Sequence, residues 1–409
     1  MPGRQTFVII GAGLAGAKAA EVLRNEGFDG RVVLIGEEPV RPYERPPLSK
    51  EYLRGEKGFD FAAVHSADFY EHHEVELRTS SVVSEIDPGS SEVLFGRGER
   101  LGYDRLLLAT GASPRKLEVP GADLAGVFYL RTVSDSDAIR EALSRPGRVV
   151  VIGAGWVGCE VAASARQLGA EVAVVEPASL PLERVLGPEV GAVFKDLHES
   201  RGVEFHLGSG VERIVGNGAA SGVRLTDGTT LDADAVVVGV GATPRTELAV
   251  GAGLAVKNGV VVDEHLQTAV PGIYAAGDVA NAFHPRYGTW IRLEHWSAAL
   301  NQGPAAAKAM LGQEVSYDKT PFFYSDQYEL GMEYRGWAPS YDRVVFRGEP
   351  ASLQFLAFWL HEGRVVAAMN SNIWDAAPGI ETLLLSEQEV DPQRLADPGT
   401  DLADVAGPG

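Results

Sequence analysis

Two runs of glycine carry the plainest chemistry in this chain, Gly11-Ala12-Gly13-Leu14-Ala15-Gly16 and Gly153-Ala154-Gly155-Trp156-Val157-Gly158. Both read G-x-G-x-x-G. The first glycine permits a tight turn, the second lets backbone approach a pyrophosphate, and the third lets a helix pack close on a strand. The helix N-terminus that follows attracts the anion. An acid closes each unit, Glu37 and Glu176, at a strand end where a carboxylate accepts from ribose hydroxyls. The chemistry implied is the holding of two dinucleotides.

The elements that must position these glycines are legible around them. Phe7-Val8-Ile9-Ile10 and Val149-Val150-Val151-Ile152 are apolar runs suited to buried strands, and an alanine-rich helix follows each, to Leu23 and over 159–168. Arg31-Val32-Val33-Leu34-Ile35 and Glu171-Val172-Ala173-Val174-Val175 then read as second parallel strands. The repetition extends further: Leu106-Leu107-Leu108-Ala109-Thr110-Gly111-Ala112-Ser113-Pro114-Arg115 is echoed by Val236-Val237-Val238-Gly239-Val240-Gly241-Ala242-Thr243-Pro244-Arg245. A repeat of that size implies two similar lobes, the second inserted into the first.

Between these landmarks, the proline-punctuated loop Arg41–Lys50 is expected to start a helix near Pro47 or Leu48. Alternating runs over 75–99 suggest a small hairpin or meander. Around 268–280 a short strand is expected to lead into Gly277-Asp278 at a helix start, with a helix over 296–311 after it. From Pro321 the composition turns aromatic, ahead of strand-like runs at 344–346 and 353–358, and the acidic tail from Ser386 is expected to fray at its last residues. The predicted fold class is α/β: two Rossmann-like, three-layer dinucleotide-binding domains, the second inserted in the first, plus a C-terminal α+β domain. The boundaries are 1–112 with 242–318, then 113–241, then 319–409.

Composition bounds the partners. A formal charge of -20 argues against nucleic acid and against anionic membrane surfaces, which call for Lys and Arg. No apolar run approaches the roughly 20 residues that span a bilayer. The first strand begins by Phe7 with no signal peptide before it, so cytoplasm is the expected compartment. The single cysteine, Cys159, excludes an intramolecular disulfide, a cysteine-based metal or iron–sulfur site and a dithiol shuttle. In its glycine-flanked helix start it reads as a small buried hydrophobe rather than a nucleophile. The histidines show no metal-ligand spacing, and no metal is expected.

Taken together, the two fingerprints, the paired crossings and Tyr274-Ala275-Ala276-Gly277-Asp278 resemble the FAD/NAD-linked reductases of glutathione-reductase-like fold. Arg45-Pro46-Pro47-Leu48-Ser49-Lys50, Trp156-Val157-Gly158-Cys159-Glu160 and Phe323-Tyr324-Ser325-Asp326-Gln327-Tyr328 are similar to the NADH:ferredoxin reductases that serve bacterial P450 and Rieske oxygenase systems. The resemblance implies FAD in the first lobe, contacted by Gly11, Gly13, Leu14, Ala15, Gly16, Glu37, Arg45, Lys50, Val83, Ala109, Thr110, Gly111, Arg131, Gly277, Asp278, Glu294, His295 and Trp296. It implies NADH in the second, contacted by Gly153, Gly155, Trp156, Val157, Gly158, Glu160, Glu176, Arg184, Val240 and Gly241. Glu176 would accept from the adenosine 2′-OH and repel a 2′-phosphate, favouring NADH over NADPH, with Arg184 working against that preference.

By the same resemblance Lys50 and Glu160 are the catalytic pair, a cation beside the flavin with a carboxylate offsetting its desolvation. The plain alternatives are a helix-start acid for Glu160 and a solvated surface lysine for Lys50. Trp296 and Trp290 are candidates for passing electrons to a docked partner or for simple core. The implied partner is a [2Fe–2S] ferredoxin, and Arg286, Arg292, Lys308 and Lys319 are docking candidates. Rival activities are an NADH oxidase or diaphorase, and a redox-responsive FAD-binding protein in the manner of the apoptosis-inducing factors. The oligomeric state is left at monomer or homodimer.

Overall fold

A computed structural model describes residues 4–145 and 147–405. Each glycine fingerprint sits in a βαβ unit. The first is β1 (Thr6–Ile10), α1 (Leu14–Asn25) and β2 (Arg31–Ile35); the second is β3 (Arg148–Ile152), α2 (Trp156–Gln167) and β4 (Glu171–Glu176). Phe7 to Ile10 and Val149 to Ile152 are at most 4% exposed. Strands covered on both faces read as continuous apolar runs, which is why no alternation marks them.

The chain divides into two compact units. The first comprises Met1–Arg45, Gly58–Ser113 and Ala242–Lys319; the second comprises Pro46–Lys57, Pro114–Gly241 and Thr320–Gly409.

In the second unit a five-stranded parallel sheet runs in the order Val203–Leu207, β4, β3, Ala235–Val238, Val127–Tyr129. The helix α3 (Glu183–Ser200), interrupted at Gly187 where φ is +81°, leads into the edge strand. A three-stranded antiparallel meander over 211–232 completes the nucleotide fold. Beyond it, β5 (Phe322–Gln327) forms the edge of a five-stranded antiparallel sheet, followed in spatial order by Leu330–Gly336, Arg364–Ser371, Gln354–His361 and Arg343–Glu349. This sheet shares a core with the nucleotide fold: Phe323, Met332 and Trp359 pack with Val151, Val161 and Phe194. Trp359, fully buried, donates its indole N–H to the Leu186 carbonyl at 3.0 Å.

In the first unit the parallel order is the same: Ile273–Ala275, Arg105–Leu108, β1, β2, Val75–Arg78. Its antiparallel meander covers 83–102. The helix α4 (Trp296–Met310) lies against α1 so closely that a Cβ on Gly303 would stand 2.2 Å from the Ala15 carbonyl oxygen.

Three local expectations change, and a fourth is not tested. The loop after Arg45 forms only a single 3-10 turn, Pro46–Ser49, continued by isolated turns in which Tyr52 and Arg54 donate to the Pro47 and Lys50 carbonyls. Gly277–Val279 is likewise a 3-10 turn that enters a strand, Ala280–His284, instead of a helix. The aromatic run from Phe322 is itself two strands. The acidic tail is folded through residue 405, with Leu395, Leu402 and Val405 on the buried faces of two short helices; the fraying expected at its last residues concerns 406–409, which lie outside the described residues.

Candidate active site

The two glycine cradles have one geometry. Gly11 has φ of +114° and Gly153 of +98°, and a Cβ there would stand 2.0 Å from the Ala109 oxygen or 2.5 Å from the Gly239 oxygen. Only glycine permits both the conformation and the approach. Gly13 and Gly155 are extended N-caps of α1 and α2 with no side-chain capping bond, and no neighbouring atom lies within 4 Å of the position a Cβ would take. Each helix start therefore faces open space with backbone donors lacking a side-chain acceptor, which suits a pyrophosphate.

In the first unit, Glu37 is exposed and paired with Arg245 at 2.6 Å. Thr110 donates to the Arg245 carbonyl at 2.7 Å, which ties the Ala109-Thr110-Gly111 turn to the same arginine. Arg45 reaches Glu38 at 3.2 Å, and Tyr43 donates to the other Glu38 oxygen at 2.6 Å. Burial works against the Arg45 cation, but Tyr43, Glu38 and Asp278 outweigh it and raise its pKa. Glu38, adjacent to the predicted Glu37, was not anticipated. Trp296 opens α4 and donates to Glu44 at 2.9 Å, and the Gly277 N–H donates to Gln302 at 2.8 Å. Burial drives His295 down to about 4, against the opposing charge of Asp278. Leu14, Ala15 and Val83 are buried, and Glu294 pairs with Arg292. Of the docking candidates, Arg292 and Lys308 are engaged with Glu294 and Glu26. Trp290 is 51% exposed beside Phe283.

In the second unit, Glu176 is half-buried. One carboxylate oxygen accepts from the Ala154 N–H at 2.8 Å and the other from the Ala178 N–H at 3.0 Å, so the acid closes the glycine turn onto the strand end. Arg184 is exposed in the first turn of α3. Trp156 packs edge-on against Phe323 and Phe194, while Val157 is 42% exposed; Val240 and Gly241 follow the strand Ala235–Val238. Arg131 and Lys50, both expected to serve the flavin, belong to this unit.

Here too lies a buried polar cluster of five side chains and His198. The Lys50 ammonium stands 2.8 Å from Glu160, with the two side chains 6% and 8% exposed. Lys50 is thus a buried cation and not a solvated surface lysine, and Glu160 is more than a helix-start acid. Ser49 donates to the same carboxylate oxygen, and Ser325 donates to the other at 2.7 Å. Gln327 donates to Ser325 at 3.1 Å and accepts from His198 Nε2 at 2.7 Å. The inward face of β5 was the available signal: Phe323, Ser325 and Gln327 alternate at period two.

Burial also sets two titrations. The Cys159 thiol is pushed up by desolvation and then by the charges of Glu160 and Glu176, so it stays a protonated, inert thiol. His198 falls from 6.5 to about 4, with burial the main cause and the Gln327 bond opposing it. A histidine held neutral in the fold binds its proton first in the unfolded chain, so stability is full above about 6.5 and declines as pH drops toward about 4. His198→Asn is expected to flatten the pH dependence of the unfolding free energy from urea titrations over that window by up to about 3 kcal/mol relative to the parent; parallel curves for the two proteins would count against it.

Residues 5–303 match the family described as pyridine nucleotide-disulphide oxidoreductase, and residues 322–406 match the reductase C-terminal domain. The chain is 38% identical over 402 residues to the 5,5'-dehydrodivanillate O-demethylase ferredoxin reductase subunit of Sphingobium sp., covering 97% of each chain. It is 39% identical over 393 residues to the anthranilate 1,2-dioxygenase system ferredoxin–NAD(+) reductase component of Burkholderia cepacia, covering 96% of this chain and 97% of that one. Among solved structures, the reductase of the covalent putidaredoxin reductase–putidaredoxin complex superimposes with a TM-score of 0.94 at 36% identity, covering 98% of each chain. With two glycine cradles on parallel sheets of matching strand order, and an antiparallel domain closing the chain, this protein belongs to the pyridine nucleotide-disulphide oxidoreductase family, in the form that carries a reductase C-terminal domain.

Proposed function

We propose that the protein is an NADH-dependent flavoprotein reductase that passes electrons from NADH through FAD to a [2Fe–2S] ferredoxin of a P450 or Rieske oxygenase system, and that it works in the cytoplasm. The observation that carries this reading is the pairing of two complete dinucleotide cradles with one buried, unreactive cysteine. A nucleotide pair without a thiol relay disfavours disulfide reduction, and two relatives matched over nearly the whole chain are named as ferredoxin reductase components.

The residues present fit both nucleotides. In the first unit Gly11, Gly13, Leu14, Ala15 and Gly16 would hold the FAD pyrophosphate, Glu37 would accept from the adenosine ribose, and Asp278 would accept from ribityl hydroxyls. Arg45, Val83, Ala109, Thr110, Gly111, Gly277, Glu294, His295 and Trp296 would line the same cofactor, and the resemblance adds Arg131 and Lys50 to that set. Gly153, Gly155, Trp156, Val157 and Gly158 would hold NADH, with Glu176, Arg184, Val240 and Gly241. FAD, when bound, supplies what the side chains lack: it takes electrons as a pair and releases them singly. No side chain is required as acid or base. The protein positions the reactants and supplies charge, and the Lys50 cation with its Glu160 counter-ion is the device we assign to that task.

The direct test is cytochrome c reduction with NADH, with and without a [2Fe–2S] ferredoxin of an oxygenase system. A rate that depends on ferredoxin concentration is expected. Oxygen consumption with NADH alone, not raised by ferredoxin, would instead identify an oxidase, and poor turnover with every acceptor would identify a binding protein.

A further inference from the structure

We propose that Ser325 and Gln327, on the edge strand of the C-terminal domain, are positioning residues for the Lys50–Glu160 pair. The inference rests on the reading above, in which that pair serves the flavin.

The argument is one of hydrogen-bond direction. Lys50 can only donate, and a carboxylate can only accept. Ser325 has one hydroxyl proton and two polar neighbours, Glu160 at 2.7 Å and the Gln327 side chain at 3.1 Å. Gln327 presents its amide nitrogen to Ser325 and its oxygen to His198 Nε2 at 2.7 Å, an arrangement that calls for the Nε2–H tautomer of His198. An amide nitrogen accepts nothing, so the Ser325 proton has one destination, the Glu160 carboxylate. The chain runs one way from α3 through β5 to α2: His198 to Gln327, Gln327 to Ser325, Ser325 to Glu160.

Burial makes the direction binding. His198, Ser325 and Gln327 are each fully buried, and Glu160 is 7% exposed, so water offers no replacement partners. Lys50 and Ser49 both address one Glu160 oxygen, and among the described residues Ser325 alone addresses the other. Without that third donor the carboxylate is held at one atom and can rotate, and the ammonium it anchors loses its fixed place. The inner face of β5 thereby sets where the positive charge stands, although 165 residues separate Ser325 from Glu160 along the chain.

The test is Ser325→Ala against Ser325→Thr in the FAD-loaded protein, reading the limiting rate of flavin reduction by NADH, the KM for NADH and the flavin midpoint potential. Ser325→Ala is expected to slow reduction about tenfold, as loss of a charge-assisted bond implies, with KM within about twofold and a more negative midpoint potential. Ser325→Thr, which keeps the hydroxyl, is expected to recover the parent values. Ser325→Ala with parent rate and potential overturns the proposal, as does Ser325→Thr falling equally far. If Ser325→Ala does not fold, Gln327→Met decides: slowed reduction at unchanged KM supports the chain of donors, and a parent rate rejects it. Lys50→Met separates the two levels. If Lys50→Met leaves rate and potential unchanged, the assignment of the pair to the flavin fails; if it slows reduction and Ser325→Ala does not, only the positioning role fails.

Discussion

Lys50→Met is expected to cost about 3–5 kcal/mol of stability and to slow flavin reduction by NADH at least about tenfold. Methionine nearly matches the lysine stem in volume, so the effect isolates the charge. What remains is a carboxylate on α2 that is 7% exposed and faces two serine hydroxyls in place of an ammonium and two hydroxyls. An isolated buried charge is worse than no charge, whereas removing both partners of a buried pair is often near neutral. Lys50→Met with Glu160→Gln should therefore recover much of the lost stability in urea unfolding, a coupling that a double-mutant cycle reads directly. Flavin reduction should not recover, because the double variant still lacks the cation. An unchanged reduction rate in the single variant would take Lys50 out of the reaction. Equal and additive losses in the cycle would show that the 2.8 Å contact carries no coupling.

The same pair shows where sequence reading succeeds and where it stops. Gly11 and Gly153 are legible because their constraint is local: strand, turn and helix lie within residues 6–25 and 148–167, and the positive φ needs no distant partner. The repeat of Leu106–Arg115 by Val236–Arg245 reveals two lobes for the same reason. Lys50 and Glu160 are linked only through resemblance, since they stand 110 positions apart and no spacing rule joins the residue after a 3-10 turn to a helix. Ser325 and Gln327 lie in an aromatic run whose composition does not mark it as a strand, so the sequence assigns them no role. Once Phe322–Gln327 is a strand, period two puts both on the inward face. The grouping of Pro46–Lys57 with the second nucleotide fold was not legible either. It depends on Leu53 joining the core of Val151 and Val161, and on Ser136 donating to the Leu48 carbonyl, contacts that proline and charge content do not announce.

Glu176→Ala combined with Pro177→Arg is expected to raise the ratio of kcat/KM for NADPH to that for NADH by about 100-fold, with a weaker grip on both. From sequence alone Glu176 is a free strand-end acid that rejects a 2′-phosphate. In the fold it also braces the cradle, since its two oxygens accept from the Ala154 and Ala178 N–H groups. An ionised carboxylate has about four lone-pair sites, so two remain for a ribose diol while the other two hold the turn. Removing the acid deletes both functions. Repulsion of the phosphate disappears, and the N–H after Gly153 loses its acceptor, which raises KM for either nucleotide. Pro177 is exposed and directly follows β4, so arginine there supplies a cation without disturbing the core. Glu176→Gln separates the terms: its single carbonyl oxygen can keep one backbone bond but carries no charge, so discrimination should fall with a smaller rise in KM. Arg184→Ala, altering an exposed side chain on α3, should lower turnover with NADPH in the double variant and leave NADH untouched. A selectivity ratio unmoved by the double substitution would remove Glu176 from nucleotide choice and leave it only the brace.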